Sequence, residues 1–576
     1  MYVMANKSET QSDIIVIGSG GAGLTAALTA LKSGLNVQLI EASTLIGGAT
    51  ALSEGMIWAP NSPAARGLLG VLTVSEEREA ALSYLRATSG NYFDESRAGA
   101  YLDYVNPMLD MLQDASELSF TLNRSSRDYY PEKPNATLGL RAHNPKPISA
   151  RKMDRELFAR LRPPLGTMQL FSGMSVASAD LNHFIQAIHN PRSALYVARL
   201  IAAHLRDRLA GWPRGTRLAN GGAIVACLAQ AIRASGGDIL TATAAQKLIL
   251  ENGRVSGVVA NGRAYYARLG VILTTGGLSS HAGARTSLTG QQSHIPIPAT
   301  EQVPHLTELV EGTGAALDTS VAQPVLWAPT SLVPNSVGRS GAWPHFGDRA
   351  KPGVICVGPD GRRFTNEAQV YHDFVPAMIE AYSKHPEGAH CWVVTDHRAI
   401  RRYGLGPVGP FPVRLSPYIR AEYLLRDRSL TGLARQMGVA PDAFEDSVRT
   451  FNTAARRGED PQFGRGQSVY DQGNGDPEHA PNASLGALDV GPFYAIRLWP
   501  GDIGTFVGLK TNAQARVITE EGLEVPGLWA AGNAASPMTG GTYAAAGLTI
   551  GAALTFGYLA AKDAAQSVAQ AARAAE

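Results

Sequence analysis

The run Gly18-Ser19-Gly20-Gly21-Ala22-Gly23 fits the GxGxxG pattern and constrains this chain more than any other stretch. It follows Asp13 to Ile17, which reads as a short buried strand, and precedes Leu24 to Lys32, which reads as a helix. A second strand over Asn36 to Ile40 then ends at Glu41, 18 residues beyond Gly23. Each part has a physical job. Small residues let the backbone approach a pyrophosphate at a helix N-terminus, and the carboxylate takes ribose hydroxyls. A strand, a glycine turn, a helix and an acid at that distance predict a dinucleotide site in a doubly wound sheet.

Two further segments bear on which dinucleotide. Gly47-Gly48-Ala49-Thr50 and Ser53-Glu54-Gly55 form a second small-residue loop whose amides suit a longer cofactor. Near the other end, Gly527, Leu528 and Trp529 lead through Ala530 and Ala531 to Gly532 and Asn533, a strand running into a turn. This resembles the part of flavoprotein reductases that holds the ribityl chain and caps the flavin ring. The amides around Gly547, Leu548, Thr549 and Ile550, at a helix start, would then face the ring edge where negative charge accumulates on reduction. FAD is therefore the expected cofactor. Leu269 to Thr275, closed by Gly276 and Gly277, supplies another strand end beside it, and Asp238 to Ala260 alternates like a meander. Residues 151–218 read as mainly helical. The middle, rich in Pro, Gly and aromatics, lacks that rhythm. The expected class is α/β: a Rossmann-like FAD-binding domain, 1–282 and 491–576, with an inserted α+β substrate-binding or capping domain, 283–490. Strands expected over Phe493 to Leu498, Ala515 to Thr519 and Leu528 to Ala531 belong to the second part of the FAD domain.

With both ends read, the chain resembles the 3-ketosteroid Δ1-dehydrogenases within the fumarate-reductase-like flavoproteins. The segments that carry the resemblance are Asp128-Tyr129-Tyr130-Pro131-Glu132, Met168 to Met174, Arg363-Phe364-Thr365-Asn366-Glu367 with Tyr371, Pro500 to Thr505, and Gly540-Gly541-Thr542-Tyr543 with Gly547. The resemblance implies removal of two hydrogens from adjacent carbons beside a ketone. Such a site needs donors at the ketone oxygen and a base at the carbon. By resemblance the Tyr543 hydroxyl and the Gly547 amide bind the oxygen, and Tyr371 is the base, assisted by Tyr129 or Tyr130. A tyrosine with its ordinary pKa of about 10 is a weak base near neutrality, so Tyr371 requires a hydroxyl partner or positive potential. The chain departs from the family pattern twice. Tyr543-Ala544-Ala545-Ala546-Gly547 stands for Tyr-Pro-Gly-Pro-Gly, and Ser53-Glu54-Gly55 for Ser-Gly-Gly. A steroid or a smaller cyclic ketone fits the same constellation.

Composition excludes several other classes. The net charge of +2 gives no electrostatic reason for nucleic acid or an anionic membrane. Cys227, Cys356 and Cys391 fit neither a disulfide framework nor a CxxC metal site, and the histidines show no HxxH spacing, so no metal is expected. Tyr543 to Ala561 is long and uncharged, but its Ala, Gly and Thr content suits a buried helix, so no integral membrane segment is expected. With no signal-like apolar stretch in the polar N-terminus, a cytoplasmic location is expected. The partners are a cyclic ketone and an unidentified electron acceptor. A fumarate-reductase-type enzyme would need arginines near the position of Tyr543, and Ala530 to Ala561 holds neither Arg nor His. A flavin module without catalysis is the remaining alternative.

Overall fold

A computed structural model of the chain describes residues 11–69, 73–166, 169–170, 173–187, 190–298, 306–337, 341–412 and 414–575. The first sheet grows from the glycine-rich unit. Strand β1 (Gln11–Ile17) runs into helix α1 (Gly21–Lys32), and β2 (Val37–Ile40) returns parallel to β1. Helix α2 (Glu95–Ala115) and helix α3 (Asn220–Ala234) follow, then strands β3 (Ile239–Leu240), β4 (Ala245–Glu251), β5 (Arg254–Ala260) and β6 (Arg263–Leu273). The order β3-β2-β1-β6-β5-β4 places β1 beside β6 in parallel, with β4, β5 and β6 forming the expected meander.

A second sheet is built from β7 (Ile295–Pro296), β8 (Val325–Val333), β9 (Gly341–Pro344), β10 (Val354–Val357), β11 (Cys391–Thr395), β12 (Leu425–Asp427) and β13 (Phe493–Thr505). Its order is β9-β8-β13-β11-β10, with β7 and β12 also on β13. Helix α4 (Tyr371–Tyr382) packs on β8. The chain then rejoins the first sheet through β14 (Arg516–Ile518) and β15 (Glu524–Ala530), the latter parallel to β6, and ends in helix α5 (Leu548–Ala575).

One boundary read from sequence needs correcting. Phe493 to Leu498 was expected in the cofactor domain, but β13 is the central strand of the second sheet, so the return to the first sheet comes after Thr505 rather than at 491. The strand is buried along nearly its whole length. An apolar run of that kind reports a central strand without reporting which sheet it joins. Of the Met168 to Met174 segment, Met168, Phe171 and Ser172 lie outside the described residues.

Helix α5 is a packed helix. Gly557 approaches α1 so closely that a Cβ there would stand 2.3 Å from the Ala22 carbonyl oxygen, and Gly551 meets the Tyr101 hydroxyl of α2. Small residues at helix spacing thus serve close helix contact. Among the described residues no helix is long and apolar enough to cross a membrane.

Candidate active site

The C-terminal ends of β1, β6 and β15 open on one cleft, the position at which a doubly wound sheet binds a nucleotide. The cavity there is about 860 Å³ and is lined by Gly18, Gly20, Gly21, Ala22, Glu41, Gly48, Ala49, Thr50, Ser53 and Gly55 from the N-terminal unit. Gly276 and Gly277 after β6, Gly532 and Asn533 after β15, and Gly547, Thr549 and Ile550 at the start of α5 complete that part of the wall. Gly23, Gly47 and Leu548, expected in the same group, do not line it. A Cβ at Gly23 would stand 1.9 Å from the Gly18 carbonyl oxygen, so its role is to let the first turn of α1 pack onto the end of β1; Gly47 abuts Val225, and Leu548 is a core side chain.

The cleft fits FAD on its own geometry. Gly18, at φ +106°, lies where a Cβ would meet the Thr274 carbonyl oxygen at 2.4 Å, a conformation and a clearance that only glycine satisfies. Helix α1 follows Gly20 without a side-chain cap, so its positive end faces the cleft. The Glu41 carboxylate accepts from the Ser19 amide at 2.8 Å and hydroxyl at 2.6 Å through Oε2 and from the Ser43 amide at 2.8 Å through Oε1, which holds it at the cleft with a lone pair on Oε1 to spare for a ribose hydroxyl. The second loop is locked to the first by the Gly21 amide donating to Thr50 Oγ1 at 2.9 Å.

At the far end of the cavity four tyrosines meet. Tyr129 lies edge-on to Tyr371, Tyr470 and Tyr543, with ring centroids at 5.8, 5.3 and 5.4 Å. The Tyr129 hydroxyl donates to that of Tyr371 at 3.2 Å, and the Gly547 amide donates to the Tyr543 hydroxyl at 3.3 Å. Gly547 takes φ +87°, and a Cβ on it would strike the Met56 carbonyl oxygen at 2.6 Å. The amide can therefore reach the phenol only from glycine. Tyr130 is not part of the cluster. Its hydroxyl donates to Asp373 Oδ1 at 3.1 Å, outside the cavity wall. Asp128 is bridged to Ala545, and the chain bends at Tyr129, which faces the cluster while Tyr130 turns to Asp373.

Burial pushes the Tyr371 and Tyr129 phenols well above the usual tyrosine value, and neighbouring phenols add to the effect. Tyr543 is also raised by burial, against hydrogen bonds from Tyr371, the Gly547 amide and Thr549 that favour its ionised form.

Four residues at this end were not singled out as site residues by the sequence. Tyr470 sits on a short helix, Val469–Asn474, capped by Ser468, whose hydroxyl accepts from the Asp471 amide; that cap is the one local signal for it. His372 accepts from the Trp327 amide at Nδ1, which leaves Nε2 to donate to the Gly541 carbonyl at 3.2 Å. Burial lowers it to about 4, so it is a neutral clamp between α4 and the loop before Tyr543. Glu54 lines the cavity with its side chain accessible inside the cleft but enclosed by protein all round, which raises its carboxyl. Arg127 lines it as well.

The Arg363-to-Glu367 motif positions Tyr371 without touching the cavity. Arg363 pairs with Glu367 at 2.7 Å and with Asp460 at 2.8 Å, all buried. Arg349 then donates to the backbone carbonyls of Glu367 and Gln369, fixing the loop from which Tyr371 starts α4.

Comparison with known proteins identifies the family and its cofactor. The FAD binding domain family matches residues 13–550. The 4-oxocyclohex-2-ene-1-carboxylate 5-dehydrogenase of Sinomonas cyclohexanicum is 33% identical, over 96% of this chain and 94% of that protein. The 3-oxosteroid 1-dehydrogenase of Mycolicibacterium smegmatis is 34% identical, over 97% and 98%. The crystal structure of 3-ketosteroid delta1-dehydrogenase from Sterolibacterium denitrificans, in complex with 1,4-androstadiene-3,17-dione, superimposes with a TM-score of 0.88 at 29% identity, covering 97% of this chain and 100% of that one.

Proposed function

As a chain that belongs to the FAD-binding domain family, and within it to the 3-ketosteroid Δ1-dehydrogenase-like flavoproteins, this protein is an FAD-dependent oxidoreductase, and we propose that it desaturates a cyclic ketone at the carbons α and β to the carbonyl. The observation that carries the reading is that Tyr543, the Gly547 amide and Tyr371 meet on the same cavity that the glycine cradle lines. Bound FAD supplies the two-electron acceptor for the hydrogen that leaves the β-carbon.

The residues of the chain supply the rest. The Tyr543 hydroxyl and the Gly547 amide bind the ketone oxygen and stabilise the charge that develops there, which makes the α-hydrogen acidic. Tyr371, as its phenolate, receives that proton at its oxygen, and the Tyr129 hydroxyl, which donates to that oxygen, stabilises the phenolate beforehand. The second sheet is the capping, substrate-binding domain, covering residues from about 283 to 505. It contributes Tyr371 and Tyr470, and the FAD-binding domain contributes Tyr129 and Tyr543, so the cluster is complete only where the two meet. Two relatives support a ring ketone of either size, one named for an oxosteroid and one for an oxocyclohexene carboxylate. The absence of Arg and His from Ala530 to Ala561 speaks against a fumarate-reductase-type site.

Dye-linked assays of the FAD-loaded protein with a 3-ketosteroid, a substituted cyclohexanone and fumarate test the proposal. Turnover of at least one ketone, with anaerobic bleaching of the flavin, is expected; turnover confined to fumarate overturns it.

A further inference from the structure

We infer that the ketone is an oxo acid, carrying a carboxylate on the side of its ring away from the carbonyl, and that Arg127 binds that carboxylate. The inference rests on the ketone-desaturation reading above and specifies its substrate class.

Arg127 lines the cavity and is only partly exposed. Among the described residues no carboxylate, carbonyl or aromatic ring engages its guanidinium, and its Nε is buried without a hydrogen-bond partner. Enclosed cations are ordinarily paired, because removing one from water without compensation is costly. By contrast Arg141, nearby in sequence, is held by Glu77 and Asp128 at 2.8 Å each. An unpaired planar fork of donors facing a ligand cavity is the group that recognises a carboxylate.

Asp128, bridged to Ala545, turns its side chain into the core toward Trp58 and Arg141, while Arg127 and Tyr129 on either side of it both line the cavity. The guanidinium lies against the backbone of Gly473, where a Cβ would meet Nη1 at 2.2 Å, so the short helix that bears Tyr470 walls the same end. Glu54, which lines the same cavity, offers a ligand carboxylate no cation to pair with. One orientation remains: ketone oxygen on Tyr543 and Gly547, carboxylate on Arg127.

The test compares 4-oxocyclohexanecarboxylate with its methyl ester on the FAD-loaded protein and on the Arg127→Met and Arg127→Lys variants, with flavin content as the check on folding. The wild-type protein is expected to prefer the acid by about tenfold or more in kcat/KM, mainly through KM. In Arg127→Met that acid-to-ester ratio should fall to near one, and Arg127→Lys should retain part of it. A wild-type protein that turns over the ester as well as the acid, or a ratio unchanged in Arg127→Met, overturns the assignment while leaving ketone desaturation standing. No turnover of acid, ester or 3-ketosteroid removes both.

Discussion

Tyr543→Phe separates the oxyanion role of the phenol from its packing role. The ring is 4% exposed and keeps its edge-on contact with Tyr129 at 5.4 Å and its tilted contact with Tyr371 at 6.1 Å, so the variant loses one hydroxyl and little apolar burial. Within the fold the loss is the long hydrogen bond from the Gly547 amide at 3.3 Å, worth about 1 kcal/mol or less, together with the phenol's contacts to Tyr371 and Thr549. At the ketone oxygen the same hydroxyl is one of two donors, and removing such a donor costs about 2.7–4 kcal/mol of transition-state stabilisation, roughly a hundred- to thousandfold in kcat. The ground-state carbonyl loses less, so KM should rise by less than about tenfold. Steady-state dye reduction over a range of ketone concentrations, with the flavin spectrum of the purified variant, measures both quantities. A yellow, folded Tyr543→Phe protein that keeps more than about a tenth of wild-type kcat would show that the phenol does not polarise the ketone, and the proposed chemistry would lose its electrophilic half.

Two other expectations concern titration. Burial raises Tyr371 well above the ordinary tyrosine range, so its phenolate is a minority form across the accessible pH range and kcat/KM should climb into alkaline pH, toward about tenfold per pH unit; a flat profile from neutrality upward counts against Tyr371 as base. Asp373 is raised by burial to about 6, against the donation from Tyr130. Its unfolded form ionises near 3.8, so as pH rises from about 4 to 6 the unfolded state loses its proton first and the fold is weakened, by at most about 3 kcal/mol above pH 6. Asp373→Asn should abolish that slope and be the more stable protein at neutral pH in urea titrations; identical slopes for both proteins would refute the assignment.

What could be read without coordinates was local chemistry. Gly18 to Gly23 and Glu41 signal a cofactor cradle because turn geometry, helix start and acid all lie within one strand-helix-strand unit. Gly532 and Asn533 could be joined to them only through the resemblance of a strand ending in Gly-Asn to the ribityl-holding part of flavoprotein reductases. The choice between Tyr129 and Tyr130 was not legible, since it depends on a bridge between Asp128 and Ala545, hundreds of residues apart. The same holds for β13, whose burial is equally consistent with either sheet. Glu54 was visible as a departure from the family pattern, but its enclosure is a property of the cavity and not of its neighbours in sequence.

The raised phenols and the proposed oxyanion site are two consequences of one environment. Packing four tyrosines together in a buried cluster keeps each protonated, which is what a donor to a ketone oxygen requires and what a base must overcome. The Gly547 amide and Tyr543 hydroxyl bond to each other at a length near the weak end of the range, so a ketone oxygen set between them can take both donors at small cost. Once it does, charge moves from the substrate carbon onto that oxygen, and the acidity of the α-hydrogen rises toward that of the Tyr371 phenol. Proton transfer then runs to the Tyr371 phenolate, whose formation from the buried phenol sets the alkaline dependence of the rate. The Tyr129 hydroxyl, 3.2 Å from the Tyr371 oxygen, is the group placed to close the remaining gap.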